Sequence, residues 1–345
     1  MGIMKKTIAF AALFAVLAGF AGCVGGDNPE KISYTGEVRV YNAGEYIDRT
    51  VLADFEREFS VKVVYHEFES NEDMYAEIAK NPGAYDVLVP SDYMIDRLIQ
   101  EGKLEKLDKD KLKNLDRVAD QYKNPAYDAG NDYSVPYMVG TLGILYNKKH
   151  AAAAESWEVL FDGQYRDKIL MLDSMRDVIG LTLKTLGAGL NSGDEGDLSL
   201  AKAKIREMRF VYGESETIRD LMVAGEGVFG VVYSGDAKTA IDRNPDLAYS
   251  IPREGSNKWL DAFVVPKGAK NIEAAHQFID FMCRPNIAVR NMTKTGYTSP
   301  VSGAWGEFGG NAVMFPSDEQ LARCEAFLHD AESVAKYERL WGEIH

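Results

Sequence analysis

Short apolar segments alternate with segments of helical periodicity from residue 37 onward, and this alternation constrains the fold more than any other feature of the chain. Residues 37–41 and 61–65 have the pattern of β-strands, and Ile47, Val51 and Phe55 recur between them on one helical face. Strands that alternate with helices form βαβ units, which build a mostly parallel sheet. The sequence therefore predicts an α/β protein.

The same alternation returns after residue 140. Further strands are predicted at residues 143–146, 169–172, 228–233 and 262–265. A chain of this length exceeds what one hydrophobic core usually serves, so we expect two lobes. In open α/β sheets, ligands bind beyond the carboxyl ends of the strands, and sites between lobes are common.

The N-terminal 23 residues have the plan of a secretory signal. Lys5 and Lys6 precede an uncharged run at residues 7–20, and small residues follow before Cys23. The run is shorter than the roughly 20 residues that span a bilayer as a helix. We therefore expect a signal peptide at residues 1–22.

The cysteine that follows Ala21 and Gly22 resembles the lipobox of bacterial lipoproteins, although Phe20 stands where Leu is usual. That resemblance implies a lipid on Cys23, a tether at residues 23–36, and a location on the periplasmic side of the membrane or at the cell surface. An ordinary cleaved signal with an unrelated cysteine is the alternative.

Charge and cysteine content exclude several classes of protein. The net charge of −14 argues against a nucleic-acid partner, which requires a basic face. Beyond Cys23 the chain has only Cys283 and Cys324, which form no disulfide framework. Cys283 lies in an apolar run typical of a buried thiol, and whether the two cysteines pair stays open.

Signatures of catalysis, metal binding and cofactor binding are missing. The sequence has no H-E-x-x-H, G-x-S-x-G or P-loop motif, and its five histidines lack metal-ligand spacing. Residues 225–230 match G-x-G-x-x-G, but these glycines precede a strand rather than open a helix, and Glu226 would repel a phosphate. We expect no cofactor, no metal and no catalytic residue.

Aromatic or hydroxyl side chains accompany carboxylates at the predicted strand ends. Such clusters lie at residues 41–46, 91–93, 173–177, 233–236 and 259–261. Aromatic faces attract cations and pack on methylene chains, and carboxylates accept charge-assisted hydrogen bonds from ammonium groups. A cleft with this lining suits a small organic cation with an apolar stem.

These segments resemble the polyamine-binding receptors (spermidine/putrescine-binding proteins) of bacterial ABC importers, over about residues 36–340. The segments that carry the resemblance are Val40-Tyr41-Asn42-x-x-Glu45-Tyr46, residues 68–76, 85–91 and 131–137, Lys258-Trp259-Leu260-Asp261 and Thr295-Gly296-Tyr297.

The resemblance implies the two-lobe periplasmic-binding-protein fold (type II). Each lobe is then a mostly parallel sheet flanked by helices, and crossing strands form the hinge. We expect residues 37–135 and 262–300 in lobe 1, and residues 136–261 and 301–345 in lobe 2. The crossings are expected near residues 136–137, 259–261 and 299–304.

The resemblance also implies the binding site. The predicted ligand-binding residues are Glu45, Tyr46, Ser91, Asp92, Tyr93, Asp177, Tyr233, Trp259, Asp261 and Tyr297. Asp261 matches the main amine-binding acid. Three positions depart from the family pattern: Ala43-Gly44 replaces Trp-Thr, Ser174 replaces an acid, and Phe327 replaces a late Gln. With one carboxylate fewer, a diamine is favoured over a triamine, and so putrescine over spermidine.

The function predicted from the resemblance is a monomeric extracytoplasmic receptor that passes polyamines to an ABC permease, without catalysis. One alternative is a receptor of the same fold for another solute, such as an aminophosphonate. Arg176 is the only base within the clusters, and it could pair with Asp173 or Asp177. A more remote alternative is an exported enzyme that uses Asp173 and Asp177 as a carboxylate pair.

Overall fold

The computed structural model describes residues 32–344. The strands of this part are β1 Gly36–Ala43, β2 Val61–Phe68, β3 Val87–Leu88, β4 Ser134–Asn147, β5 Ile169–Leu172, β6 Val211–Gly213, β7 Phe229–Tyr233, β8 Leu247–Ser250 and β9 Lys258–Val264. The α-helices are α1 Arg49–Phe59, α2 Asn71–Lys80, α3 Asp92–Gln100, α4 Met175–Thr185, α5 Glu195–Arg206, α6 Ser215–Ala224, α7 Ser234–Arg243, α8 Ile272–Met282, α9 Pro285–Thr295, α10 Asp318–Ala322 and α11 Ala331–Ile344. The predicted signal peptide and Cys23 lie outside the described residues.

The strands form one sheet in the order β2-β1-β3-β9-β4-β7-β5-β6, with β8 beside β4. At one end β1 pairs in parallel with β2 and β3, and at the other β5 pairs in parallel with β6 and β7. The antiparallel pairs all involve β4 or β9, in the middle of the sheet. The expectation of α/β architecture with mostly parallel halves is confirmed.

We call β1, β2 and β3 with their helices the first half, and β5, β6, β7 and β8 with their helices the second half. Strand β4 belongs to both halves of the sheet. Its first part pairs with β9, and its second part, from Leu142 onward, pairs with β7 and β8. The β4–β9 register shifts between Pro136 and Met138, where a bulge bends the strand. Two predicted crossings, residues 136–137 and 259–261, therefore lie on the paired strands that join the halves.

Each half has two hydrophobic clusters. In the first half, Val40, Phe55 and Phe278 belong to one cluster, and Leu88 and Met94 to another. In the second half, Trp157 and Phe229 belong to a large cluster, while α4, α5 and α11 enclose a smaller one. Each half thus has its own hydrophobic core of strands and helices, as in a two-lobe arrangement.

Two segment boundaries differ from expectation. Val301, Ala304 and Met314 pack in the core cluster of the first half, although residues 301–345 were expected in the second lobe. Tyr34 and Thr35, expected in the tether, already bond to the fold: the Tyr34 hydroxyl donates to Glu56, and the Thr35 amide donates to the Ser60 carbonyl. Turn-rich sequence gives no periodicity from which either boundary could be predicted.

Three buried side chains serve the fold rather than a site. Cys283 and Cys324 are buried free thiols, so they are not paired. His276 is buried, lies 2.8 Å through Nδ1 from the Ile272 carbonyl oxygen, and accepts at Nε2 from the Asp108 amide at 2.9 Å. Both ring nitrogens are therefore used in the neutral form. Within residues 32–344, no helix combines the length and apolar character needed to cross a bilayer.

Candidate functional site

A cavity of about 730 Å³ lies between the two halves, at the carboxyl ends of β1, β3, β5 and β7. This volume is typical of small-molecule sites. Its lining includes all ten predicted binding residues, namely Glu45, Tyr46, Ser91, Asp92, Tyr93, Asp177, Tyr233, Trp259, Asp261 and Tyr297. Because most of these residues lie at the carboxyl ends of strands, they meet in one cleft although they are far apart in sequence.

Asp261, on β9, has one satisfied and one unsatisfied carboxylate oxygen. The Tyr46 hydroxyl donates to Oδ2 at 2.7 Å, whereas Oδ1 is buried without a hydrogen-bond partner among the described residues. Burial raises the pKa of Asp261 to about 6, against the lowering effect of the Tyr46 and Ser91 hydroxyls. An ionised carboxylate with a free buried oxygen is an acceptor for a cationic donor.

Asp177, near the start of α4 and only 3% exposed, has the same character. The hydroxyls of Ser174 and Tyr233 each donate to its Oδ2 at 2.7 Å, and its Oδ1 is buried without a partner in the described part of the chain. Burial raises the pKa of Asp177, and hydrogen bonds from Ser174 and Tyr233 oppose that rise. Ser174 also caps α4 by accepting from the Asp177 amide, so it helps to position this acid.

Aromatic rings form a continuous wall beside the two acids. The Tyr233 and Trp259 centroids are 6.1 Å apart, those of Trp259 and Tyr297 are 5.1 Å apart, and those of Tyr297 and Tyr46 are 5.5 Å apart, all in edge-to-face geometry. Gly235 makes room for the wall, because a Cβ at this position would lie 2.6 Å from the Tyr297 ring. The wall offers apolar surface for methylene groups and electron-rich faces for cations.

Asp92 also lines the cavity, but both of its carboxylate oxygens accept hydrogen bonds from backbone amides. Its Oδ1 accepts from the Tyr93 amide at 2.8 Å, and its Oδ2 accepts from the Leu260 amide at 3.4 Å. Burial, with the Asp261 charge also contributing, raises the pKa of Asp92 to about 8. The raised pKa favours the protonated form of Asp92, which limits the repulsion between the two neighbouring acids.

A fourth buried acid, Asp236, has both carboxylate oxygens hydrogen-bonded to protein groups. Its Oδ2 accepts from the Ser215 hydroxyl at 2.7 Å and from the Tyr297 hydroxyl at 3.1 Å. Its Oδ1 accepts from Arg219 Nη1 at 3.0 Å. The same Nη1 lies 3.6 Å from Glu45 Oε2, so Arg219 joins acids from both halves. Glu45 is exposed at the rim, with a left-handed φ of 53° that is uncommon for this residue type.

Arg176 also reaches across the cleft. Its guanidinium carbon lies 4.1 Å from the centroid of the Tyr93 ring, and its Nε lies 4.0 Å from Glu72 Oε1. The sequence left open a pair with Asp173 or Asp177, whereas in the structure the acid that Arg176 approaches as an ion pair is Glu72 of the other half. Lysine or arginine stacking on an aromatic ring is a recognised cation–π contact.

Residues 50–305 match the family described as bacterial extracellular solute-binding protein. The chain belongs to this family. The spermidine/putrescine-binding periplasmic protein of Salmonella typhimurium is 31% identical over 303 residues, which cover 86% of this chain and 84% of that protein. The putrescine-binding periplasmic protein SpuD of Pseudomonas aeruginosa is 30% identical over 323 residues, which cover 87% of this chain and 85% of that protein.

A solved structure agrees with these relatives. The spermidine/putrescine ABC transporter substrate-binding protein PotD from Streptococcus pneumoniae matches with a TM-score of 0.79 at 33% identity, covering 90% of this chain and 98% of that one. The family resemblance and the two-lobe fold predicted from the sequence are thereby confirmed. Members of this family are extracellular solute-binding proteins rather than enzymes, so an extracytoplasmic location is also supported.

The positions where this solute-binding protein departs from the expected family pattern all face the cleft. Ala43, Gly44, Ser174 and Phe327 line the cavity. In the described part of the chain, no group of three or more His, Cys, Asp or Glu side chains is arranged to hold a metal ion.

Sequence reasoning missed Arg219, and it noticed Asp236 only as part of a strand-end cluster. Arg219 lies on α6, which follows the three-residue strand β6. A strand of three residues is too short to show an alternation of apolar and polar side chains, so the sequence predicts neither β6 nor the polar cluster that follows it. The neighbouring Glu214, Ser215 and Glu216 are the signal that could have identified this corner of the cleft.

Proposed function

We propose that this binding protein captures polyamines, putrescine or spermidine, in the cleft and passes them to an ABC permease in the membrane. The relatives named for these ligands support the proposal. The observation that carries it is the pair of buried, unpartnered oxygens Asp177 Oδ1 and Asp261 Oδ1 beside an aromatic wall. An ammonium group at each oxygen would supply the missing donor and neutralise the buried charge.

The ten predicted residues have different proposed roles. Asp177 and Asp261 bind the two ammonium groups, and the rings of Tyr233, Trp259 and Tyr297 cover the methylene chain. Further residues position these groups or close the cleft, namely Tyr46, Ser91, Asp92, Tyr93 and Glu45. Ser91 is an example of a positioning residue. Its amide donates to Asn71 Oδ1, its hydroxyl oxygen accepts from Asn71 Nδ2, and its backbone forms a β-bridge with Asp261.

The lobes would close over the ligand about the β4–β9 crossing. We assign residues 34–135 and 262–315 to lobe 1, because Tyr34 and Thr35 bond to the fold and Met314 packs in the first core. Residues 136–261 and 316–344 form lobe 2, since Tyr337 and Leu340 pack on α4 and α5. The protein acts as a monomer in this proposal.

An anionic solute is not favoured by this cleft. Arg219 is held by acids, since its Nη1 lies 3.0 Å from Asp236 Oδ1 and 3.6 Å from Glu45 Oε2, and Arg176 lies over the Tyr93 ring with its Nε 4.0 Å from Glu72 Oε1. The carboxylates with free oxygens remain, and they would repel a phosphonate or carboxylate ligand.

A thermal-shift panel tests the proposed function. Protein freed of ligand by unfolding and refolding is heated with putrescine, cadaverine, spermidine, glutamate or 2-aminoethylphosphonate. A ligand at 100 times its dissociation constant should stabilise the native state by about 2.7 kcal/mol. We expect the amines to raise the melting temperature and the anionic solutes to leave it unchanged. Stabilisation by an anionic solute alone would contradict the proposal.

We also propose that a lipid on Cys23 holds the receptor at the membrane. Replacing Cys23 with serine should release the protein into the soluble fraction while its putrescine affinity stays the same. A Cys23→Ser variant that remains in the membrane fraction would contradict the anchor.

A further inference from the structure

Three buried carboxylates in the cleft share one feature: each accepts a hydrogen bond from a tyrosine hydroxyl. Tyr233 donates to Asp177, Tyr46 to Asp261, and Tyr297 to Asp236. Because the rings of these tyrosines continue one aromatic wall through Trp259, the three acids lie along one surface.

The three acids differ in what their second oxygen meets. Asp177 Oδ1 and Asp261 Oδ1 are buried and have no partner among the described residues. Asp236 Oδ1 is 3.0 Å from Arg219 Nη1. Two acidic positions are therefore open to an incoming cation, and the third already holds a cation of the protein.

Arg219 is fixed at this third position. Its side chain is 13% exposed, Nη1 lies between Asp236 and Glu45, and Nε is 3.1 Å from Asp220 Oδ1. Three acids thus hold one guanidinium, and planar guanidinium groups form such multiple contacts well.

We infer that Arg219 is a built-in third cation that sets the charge of the ligand at two. This inference rests on the proposed function. A diamine places its two ammonium groups at Asp177 and Asp261. The third ammonium of a triamine would meet a guanidinium at Asp236 and Glu45, and like charges brought together in an interface lower affinity strongly.

Arg219 also contacts the opposite lobe, and the experiment must distinguish an effect on lobe closure from an effect on ligand specificity. Glu45 belongs to the first half and Arg219 to the second, so their contact also joins the lobes. A contact that only favours closure would affect all ligands alike, because closure accompanies the binding of each. A specificity role instead changes the ratio of affinities for the triamine and the diamine.

The test is titration calorimetry of ligand-free protein with putrescine and with spermidine. The variants are Arg219→Gln and Arg219→Met, which remove the charge, and Arg219→Lys, which keeps it. Lys238→Gln is the matched control, since Lys238 pairs with Asp242 elsewhere on the second half and does not line the cleft. Circular dichroism establishes that each variant is folded, and two neutral variants guard against one failing to fold.

For the neutral variants we expect the ratio of spermidine to putrescine affinity to rise at least about tenfold, within the range measured for close charge pairs. Arg219→Lys and Lys238→Gln should keep the wild-type ratio. A ratio that is unchanged in both neutral variants, with both amines weakened equally, would overturn the inference and leave a lobe contact only. An equal rise in Lys238→Gln would overturn it in favour of a long-range charge effect. If the wild-type protein binds neither amine, the proposed function itself fails.

Discussion

Replacing Asp261 with asparagine should have opposite effects on two quantities: it should leave the ligand-free protein as stable or more stable, and it should weaken putrescine binding. In the ligand-free protein, burial raises the pKa of Asp261 from 3.8 to about 6. Each pKa unit corresponds to about 1.4 kcal/mol, so the ionised carboxylate costs about 3 kcal/mol of stability once the pH is above 6. The cost is absent below pH 4, where the carboxyl is protonated in both states.

Asparagine removes this cost but introduces one of its own. Its carbonyl oxygen can still accept from Tyr46, whereas its amide takes the place of the unpartnered Oδ1. An unsatisfied buried amide costs about 1–3 kcal/mol. At pH 7.5 we therefore expect the ligand-free variant to be as stable as the wild type or more stable, by up to about 2 kcal/mol.

Binding should change in the opposite direction. Removing one member of a buried ion pair typically costs about 2–5 kcal/mol, which is a loss of roughly 30-fold to several thousandfold in putrescine affinity. Urea unfolding measures the stability and calorimetry measures the affinity. Asp242→Asn, an exposed change of the same charge, should alter neither by much. A variant that binds putrescine normally, or one that is destabilised by several kcal/mol, would refute the reasoning.

Three further predictions address pH, packing and the core. Putrescine affinity should fall toward tenfold per pH unit below pH 6, as Asp261 takes up a proton that an ammonium must displace; calorimetry from pH 5 to 7 that shows no decline would contradict this role. Gly235→Ala should destabilise the protein by about 1–3 kcal/mol because its Cβ would lie 2.6 Å from the Tyr297 ring, whereas Gly342→Ala, with open space around it, should stabilise by up to about 1 kcal/mol; equal effects on the urea midpoint would argue against the clash. His276→Phe should cost about 1 kcal/mol by removing the acceptor of the Asp108 amide, with putrescine affinity unchanged; weaker binding by a folded His276→Phe protein would contradict its separation from the site.

Strand ends could be predicted because they follow long, periodic segments. Glu45 and Tyr46 follow β1, Ser91 follows β3, and Asp177 follows β5, and parallel strands bring such residues to one edge. The arrangement of the two halves around one cleft was predicted from the family resemblance, because no local sequence pattern indicates it.

Cross-cleft partners could not be predicted in the same way. Arg219 and Glu45 are 174 positions apart, and their contact depends on how the two halves of the sheet meet. The sequence identified Arg176 as a cleft base, yet its position over the Tyr93 ring depends equally on the approach of the halves. The sequence also cannot show which carboxylate oxygens have hydrogen-bond partners. In the structure Asp236 Oδ1 accepts from Arg219, whereas Asp177 Oδ1 and Asp261 Oδ1 have no partner among the described residues.

One measurement tests the central claim directly: calorimetric titration of the refolded, ligand-free protein with putrescine and with 4-aminobutanol, in which a hydroxyl replaces one ammonium. The two ligands share length and apolar stem, so they differ in the charge that the second open carboxylate receives. We predict one putrescine per chain, and at least about hundredfold weaker binding of 4-aminobutanol because one buried carboxylate would stay unneutralised. Equal affinities for the two ligands, or no binding of putrescine, would contradict a cleft built around Asp177 and Asp261.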